Sequence, residues 1–317
     1  MDFFKRYPSW LAVSVLVLLT GGYALLLAPP SNFPLHETVI VARGASASAV
    51  ASGLYDARII KHPSVLWFIL RFSGASAHVH AGTYVFDTSE NALTVAYRLA
   101  TGAYGLPLVH MTFPEGVTVR DIAGRVAEAM PTISAQDVLA LGKPQEGYLF
   151  PDTYLFPPDA SAESILKTMR ANFETKTAAL TSDIQTSGHS LADIITMASL
   201  VEKEARTDED KRIVAGILWN RLARKMPLQV DAVFGYIYNR DTYSPSLADL
   251  AVDSPYNTYT HTGLPPGPIC NPGLGSILAV LHPTKTDYLY YLTDKNGMMH
   301  YATTYAAHQA NQQKYLH

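Results

Sequence analysis

The chain has 317 residues, 48% of them hydrophobic and 16% charged, with a formal net charge of −3. That length accommodates two or three domains, each with its own core, and the mild acidity gives no electrostatic case for nucleic acid as a partner. Cys270 is the single cysteine, so an intramolecular disulfide is excluded, although an oxidising compartment is not.

From Trp10 to Ala28 there is no charged residue, and Leu, Val and Ala dominate. At about 1.5 Å per residue this run is long enough for a hydrocarbon core of roughly 30 Å, so 10–28 is predicted to be a single N-terminal transmembrane helix. A cleaved signal peptide is the rival. The run exceeds the usual apolar region of such peptides, and Pro29-Pro30 follows it with no small-x-small pattern before, which favours an uncleaved anchor. Lys5 and Arg6 precede the run and the next basic residue is Arg43. The positive-inside bias then leaves 1–9 in the cytoplasm and everything past Pro30 outside it.

Glu37 to Val41 is a short β-type run. A helical pattern follows from Ala47 to Tyr55, with Val50, Leu54 and Ile59 apolar, then a second helix from Pro63 to Phe72, a strand at Tyr84-Val85-Phe86 and a helix from Leu93 to Leu99. On pattern alone this β-α-α-β order over 36–105 is a small structural domain. Leu108 to Phe113 reads as a strand, and Pro114-Glu115-Gly116 turns the chain into a helix starting near Val119 with Ile122, Val126 and Met130 on its face. His78, His80 and His110 have no Cys or Glu at ligand spacing, so they are read as structural or surface residues and no metal site is predicted. Glu146 to Tyr154 is an aromatic loop running to Pro157-Pro158: either a plug packed into the core or a sugar-stacking element, with Tyr148 a candidate substrate contact.

After a predicted helix from Ala162 to about Ala179 and a polar link ending near His189, Ile194 to Glu204 has a helical apolar period. Ile194, Ala198, Val201 and Ala205 share one stripe, and Glu202 and Glu204 fall on opposite shoulders of it. Glu202 has Ala198 and Ser199 behind it and Arg206 four residues ahead, so it reads as a solvated carboxylate. Glu204 has Met197, Leu200 and Val201 behind it and Asp208 ahead, and apolar surface plus a like charge both favour the neutral acid. A protonated carboxyl near neutral pH is what a general acid needs, and glycosidic cleavage is the commonest chemistry that uses one. The bland reading is the wet end of an amphipathic helix.

Thr207 and Asp210 have capping-box spacing and open a helix with Ile213, Ile217, Leu218 and Leu222 apolar, stopped by Pro227. Leu228 to Val233 alternates, so Gln229 and Asp231 are expected to point the same way from an extended segment. Gln229 suits an acetamido or hydroxyl group. Asp231 is either a second carboxylate or, the favoured reading, a cap for the apolar run from Val233 to Ile237. Tyr256 to Asn271 is irregular and stiffened by Pro and Gly. Tyr288 to Leu292 and His300 to Ala302 then read as strands around Asp294-Lys295-Asn296-Gly297.

The run Ala198-Ser199-Leu200-Val201-Glu202-Lys203-Glu204, then Trp219-Asn220-Arg221-Leu222, Leu228-Gln229-Val230-Asp231, Tyr256-Asn257-Thr258-Tyr259-Thr260 and Gly263-Leu264-Pro265-Pro266-Gly267, closely resembles the YceG-like (MltG) endolytic murein transglycosylases of bacteria. Order and rough spacing agree along most of the chain. The resemblance implies an α+β protein with a LysM-like module at 36–105, in contact with N-acetylglucosamine-containing glycan, and a mostly helical catalytic domain with small β elements at 106–317. It implies a lyase that cuts the β-1,4 bond between N-acetylmuramic acid and N-acetylglucosamine inside peptidoglycan strands and leaves a 1,6-anhydro end, with Glu204 as the one acid and base. Asn220 and Arg221 become bracing candidates. Asn220, Gln229, Tyr256, Asn257 and Thr258 join Tyr148 as candidate substrate contacts. Attachment to the bacterial inner membrane and partnership with the synthases that polymerise glycan also follow from the resemblance.

A lysozyme-like hydrolase is the alternative enzyme and needs a second carboxylate, for which Asp231, Glu202, Asp253, Glu146 and Asp152 are available. A non-catalytic peptidoglycan-binding scaffold is the alternative of another class. With no HExxH, no phosphate-binding glycine loop and no cysteine-histidine set, no metal or nucleotide cofactor is predicted.

Overall fold

The computed structural model describes residues 9–42, 44–73, 79–240 and 244–316. Lys5, Arg6, Arg43 and His78, which entered the topology and metal readings, lie outside the described residues. Two compact units divide the chain: Met1–Val109 with Phe156–Ala160, and His110–Leu155 with Ser161–His317.

The first unit opens with α1 (Ser9–Gly22), which passes directly into a π-helical turn at Tyr23–Leu27; the turn is closed by the Ala28 N–H donating to the Tyr23 carbonyl. The predicted single span is therefore helical from residue 9 to residue 27 but of two kinds. Among the described residues no helix is long and apolar enough to cross a membrane by itself. β1 (Thr38–Val41), α2 (Ala47–Asp56), α3 (Pro63–Phe72) and β2 (Gly82–Val85) follow in the predicted order, and α4 (Ala92–Thr101) closes the unit. β1 and β2 pair antiparallel, with Thr38 opposite Val85 and Val41 opposite Gly82. Ser46 caps α2 and Asn91 caps α4 by accepting backbone N–H groups of the first turn, as short polar side chains do at helix starts. Leu54, Leu66, Leu70, Tyr84, Val95 and Leu99 fill the core.

β3 (Val109–Thr112) pairs with β4 (Thr153–Phe156), all but the end residues Val109 and Phe156 falling in the second unit, and α5 (Val119–Ala129) and α6 (Ala135–Gly142) lie between them in the chain. α7 (Ala162–Ala178), α8 (Thr181–Ser187), α9 (Leu191–Glu204), α10 (Asp208–Ala223), α11 (Ala232–Tyr238) and α12 (Leu274–Leu281) follow, then the hairpin β5 (Tyr290–Thr293) and β6 (Met299–Ala302), and α13 (Tyr305–Tyr315). α9 is the centre. It packs against α10, α11 and α12, and every residue from Ile194 to Val201 is buried. The predicted one-stripe amphipathic helix is thus corrected: a helix covered on all sides can be apolar all round.

Polar groups fix α9 at two levels. Ser190 and Asp193 form a capping box at its start, and fully buried Ser199 donates to the Thr196 carbonyl while accepting the Ile269 N–H. Gly147, at φ 87°, has no side chain where Pro268 and Ile195 crowd it, so the loop around Pro268 closes on α9. α10 ends at Ala223, short of Pro227, because Lys225 turns into the left-handed region at φ 55°.

Candidate active site

Glu204 is the last residue of α9; at Ala205 the backbone opens to φ −134° and ψ 146°. The carboxylate is recessed, while the residue as a whole is half-buried. Its Oε2 accepts the Tyr291 hydroxyl at 2.9 Å from β5, and the Ala232 N–H at the start of α11 also donates to it. Burial pushes its pKa from 4.5 up to about 7, and the nearby charge of Asp231 pushes the same way, while the Tyr291 and Ala232 donors and the Arg221 cation oppose. The like charge beside Glu204 is therefore Asp231. The predicted Asp208 lies instead among the neighbours of Glu115.

Glu202 sits on the opposite shoulder, as the 200° separation requires, but it is not solvated. Its side chain is only 8% exposed and pairs with Lys211 at 3.0 Å, not with Arg206. Its other oxygen accepts the Gly273 N–H at 2.9 Å and the Ser276 hydroxyl at 2.7 Å at the start of α12. Glu202 thus ties α9 to α10 and α12.

Arg221 on α10 braces the far wall. It donates to the Leu289 carbonyl at 2.6 Å and the Leu228 carbonyl at 2.7 Å, and its guanidinium lies 5.2 Å from the Tyr290 ring centroid. One buried cation thereby joins the approach to β5 to the segment entering α11. Asn220 donates to the Thr286 carbonyl at 2.7 Å, so it braces the same approach and is not shown against Glu204.

Residues 228–231 alternate in burial as predicted, with Leu228 and Val230 inside and Gln229 and Asp231 outside. The backbone, however, is not extended: Gln229 stands at φ 49°, and its N–H donates to the Thr258 carbonyl. Asp231 occupies the position before α11 in helical geometry and makes no side-chain cap, which corrects the favoured capping reading. Its Oδ1 accepts a short hydrogen bond from the Tyr259 hydroxyl instead, so Asp231 stands as a fixed negative charge beside the acid.

Three other predicted contacts take packing roles. Asn257 is fully buried and spends its amide on the Leu250 and Val252 carbonyls; buried Thr258 donates to and accepts from the Val230 backbone. Tyr148 meets Phe173 edge-on at 5.2 Å and carries Arg170 over its face at 4.9 Å, which is the core-plug alternative. Tyr256 is half-buried against Tyr236, with ring centroids 5.0 Å apart. Among the proposed second carboxylates, Glu146 is buried and accepts the Val119 N–H and the Asn271 amide. It too is raised to about 7, chiefly by burial, but it anchors the start of α5.

An open cleft of about 810 Å³, lined by His189, Asp193, Trp219 and Leu264 among others, lies by the first turn of α9. Asp193 stands eleven positions before Glu204 on the helix, on the order of 16 Å, so that end of the cleft is remote from the acid. Among the described residues no group of three or more His, Cys, Asp or Glu is arranged to hold a metal ion. Tyr291 is the site residue that the sequence did not single out; its only signal there is the aromatic run of the hairpin.

A recessed carboxyl at the end of a buried helix therefore meets a tyrosine of the aromatic hairpin on a mostly helical unit. The chain belongs to the YceG-like family, whose model matches residues 39–314. It is 34% identical to the endolytic murein transglycosylase of Bacillus subtilis (strain 168), over 94% of this chain and 91% of that protein. It is 28% identical to the endolytic murein transglycosylase of Streptococcus pneumoniae serotype 2, over 97% of this chain and 64% of that longer protein. The crystal structure of a YceG-like protein from Listeria monocytogenes superposes with a TM-score of 0.60 at 32% identity, covering 86% of this chain and 98% of that one.

Proposed function

We propose that this chain is an endolytic murein transglycosylase in which Glu204 is both general acid and general base. Protonated Glu204 gives its proton to the glycosidic oxygen between N-acetylmuramic acid and N-acetylglucosamine as the bond to C1 breaks. The carboxylate so formed takes the C6 hydroxyl proton as that oxygen bonds to C1, which closes the 1,6-anhydro ring and regenerates the acid. No water is consumed, and one carboxyl serves both steps because the nucleophile belongs to the sugar.

The observation that carries this reading is the placement of Glu204 at the end of α9, with the Tyr291 hydroxyl on its Oε2 at 2.9 Å and a burial that pushes its pKa up to about 7. Both protonation states are then accessible at neutral pH. The names of the relatives support the same reaction class. The second reading, a lysozyme-like hydrolase, draws on Asp231, the carboxylate that raises Glu204 and caps no helix. Its engagement by the Tyr259 hydroxyl argues for a fixed charge over a nucleophile.

The proposal includes location. α1 and its π-helical turn form an uncharged path with Leu16, Leu18, Leu19 and Leu25 exposed, suited to the bacterial cytoplasmic membrane with the N-terminus inside and residues 31–317 outside. The first unit is then a LysM-like module for nascent glycan, near the synthases that make it. Mass spectrometry of defined glycan digested by the full chain tests the chemistry: muramic-acid ends lighter by one water are expected, and hydrated, borohydride-reducible ends alone would hand the site to the hydrolase. A reporter fused after His317 and active only in the cytoplasm tests the location; activity there overturns it.

A further inference from the structure

We infer that the outer face of α3 is a bilayer-docking surface, carrying Trp67, Phe68 and Phe72 into the interfacial layer of the membrane that holds α1. The inner face of α3 is spent on the core of its unit, with Leu66 and Leu70 fully buried. The outer stripe is aromatic where a water-facing helix is polar: Trp67, Phe68 and Phe72 are 41%, 55% and 71% exposed, and the two phenylalanine rings lie 4.2 Å apart. At 100° per residue, Ser64 and Arg71 complete that stripe.

What covers this face follows from where α3 begins. The last carbonyls of a helix have no intrahelical partners. Here the Ala24 carbonyl accepts the Lys61 ammonium at 2.9 Å and the Leu25 carbonyl lies 3.1 Å from His62 Nε2. Leu27 and Phe33 pack onto the core of the same unit, so the end of the apolar helical path is pinned to the module. α3 starts at Pro63, the residue after His62. Trp67 and Phe68 therefore lie within about 9 Å of chain from that end, comparable to the depth of an interfacial layer.

Leu25 and Leu26, exposed at the end of the path, continue the apolar surface toward it. Arg58 and Arg71 are exposed and Lys61 is half-buried; these are the basic residues nearest the face in sequence, with Asp56 the nearby acid, a balance that suits anionic headgroups. Aromatic rings beside basic residues are the composition of a helix lying in the interface. This inference rests on the anchor reading above, and the test separates the two.

The full chain is reconstituted into phosphatidylglycerol-containing vesicles with brominated acyl chains, as a Trp10→Phe, Trp219→Phe variant that leaves Trp67 as the emitter. The chain should float with the vesicles after an alkaline carbonate wash, and Trp67 emission should fall about two-fold against unbrominated lipid, as for a ring at headgroup level. Flotation without quenching overturns the docking surface alone; failure to float overturns the anchor and the docking surface together. On the unaltered chain, a lipid bearing a photoreactive acyl group should label peptides from 63–72 as well as from 9–27. Labelling confined to 9–27, with Trp67 emission responding instead to added glycan, assigns the face to carbohydrate and overturns the inference.

Discussion

The Tyr291 hydroxyl donates to Glu204 across 2.9 Å and 87 residues of chain. A donor to the ionised carboxylate stabilises the charged form, so the hairpin restrains how far burial raises the acid.

Tyr291→Phe removes that restraint. The pKa of Glu204 should rise further, and because the reaction needs the protonated acid, the alkaline limb of kcat/KM should move to higher pH by about one unit, the worth of one hydrogen bond to a charged group. A pH–rate profile checks it. A limb that stays in place or moves down would show that Tyr291 does not govern the proton.

Asp231→Asn should act with the opposite sign. Its charge raises Glu204, so neutralising it lowers the acid's pKa and draws the alkaline limb to lower pH, while the ends produced stay anhydro. Loss of all turnover on this substitution, with the fold intact, would favour the two-carboxylate hydrolase.

The two glutamates of α9 should fail differently. Glu204→Gln removes the titrating proton and should lower turnover by about 10³-fold or more with little change in melting temperature. Glu202→Gln leaves Lys211 without its close partner, and breaking a buried pair costs about 3 kcal/mol, so thermal stability should fall while the folded fraction keeps its activity. Calorimetry paired with a turnover assay separates the outcomes; the reverse pattern would exchange their roles.

Glu146 predicts a pH-dependent stability. Its folded pKa, about 7, lies above the ordinary 4.5, so the folded state favours the neutral acid. That contribution is whole below pH 4.5 and is lost as pH rises through 7, on the order of 3 kcal/mol over the window. Glu146→Gln can keep the bonds from Val119 and Asn271 and should flatten this slope in urea midpoints measured from pH 5 to 8. An unchanged slope would assign it elsewhere.

Much of this was legible in the chain. The β-α-α-β order, the helices from Pro63 and Ala162, the hairpin at Asn296-Gly297 and the placement of Glu202 and Glu204 on opposite shoulders of α9 all follow from period and spacing. What failed was partner choice. Arg206 is the local cation for Glu202, but Lys211 reaches it because α10 folds back against α9, and no spacing rule contains that return. The burial of α9 on every side was hidden because small residues such as Ala198 and Ser199 read as a weak face, when they are what lets neighbouring segments approach. Gln229 in a left-handed conformation defeats any parity argument, since a strand-like pattern carries no mark of one reversed residue.

The socket that Glu202 occupies also works as a key. With one oxygen on Lys211 and the other on the start of α12, Glu202 fixes the register of the last turn of α9, on which Glu204 stands two residues further on. Inserting one residue between Ser199 and Glu202 would turn both acids by about 100°, withdrawing the key and misdirecting the proton together. The tolerance of this enzyme to length changes should therefore collapse over a few residues of α9, a boundary that an insertion scan would draw.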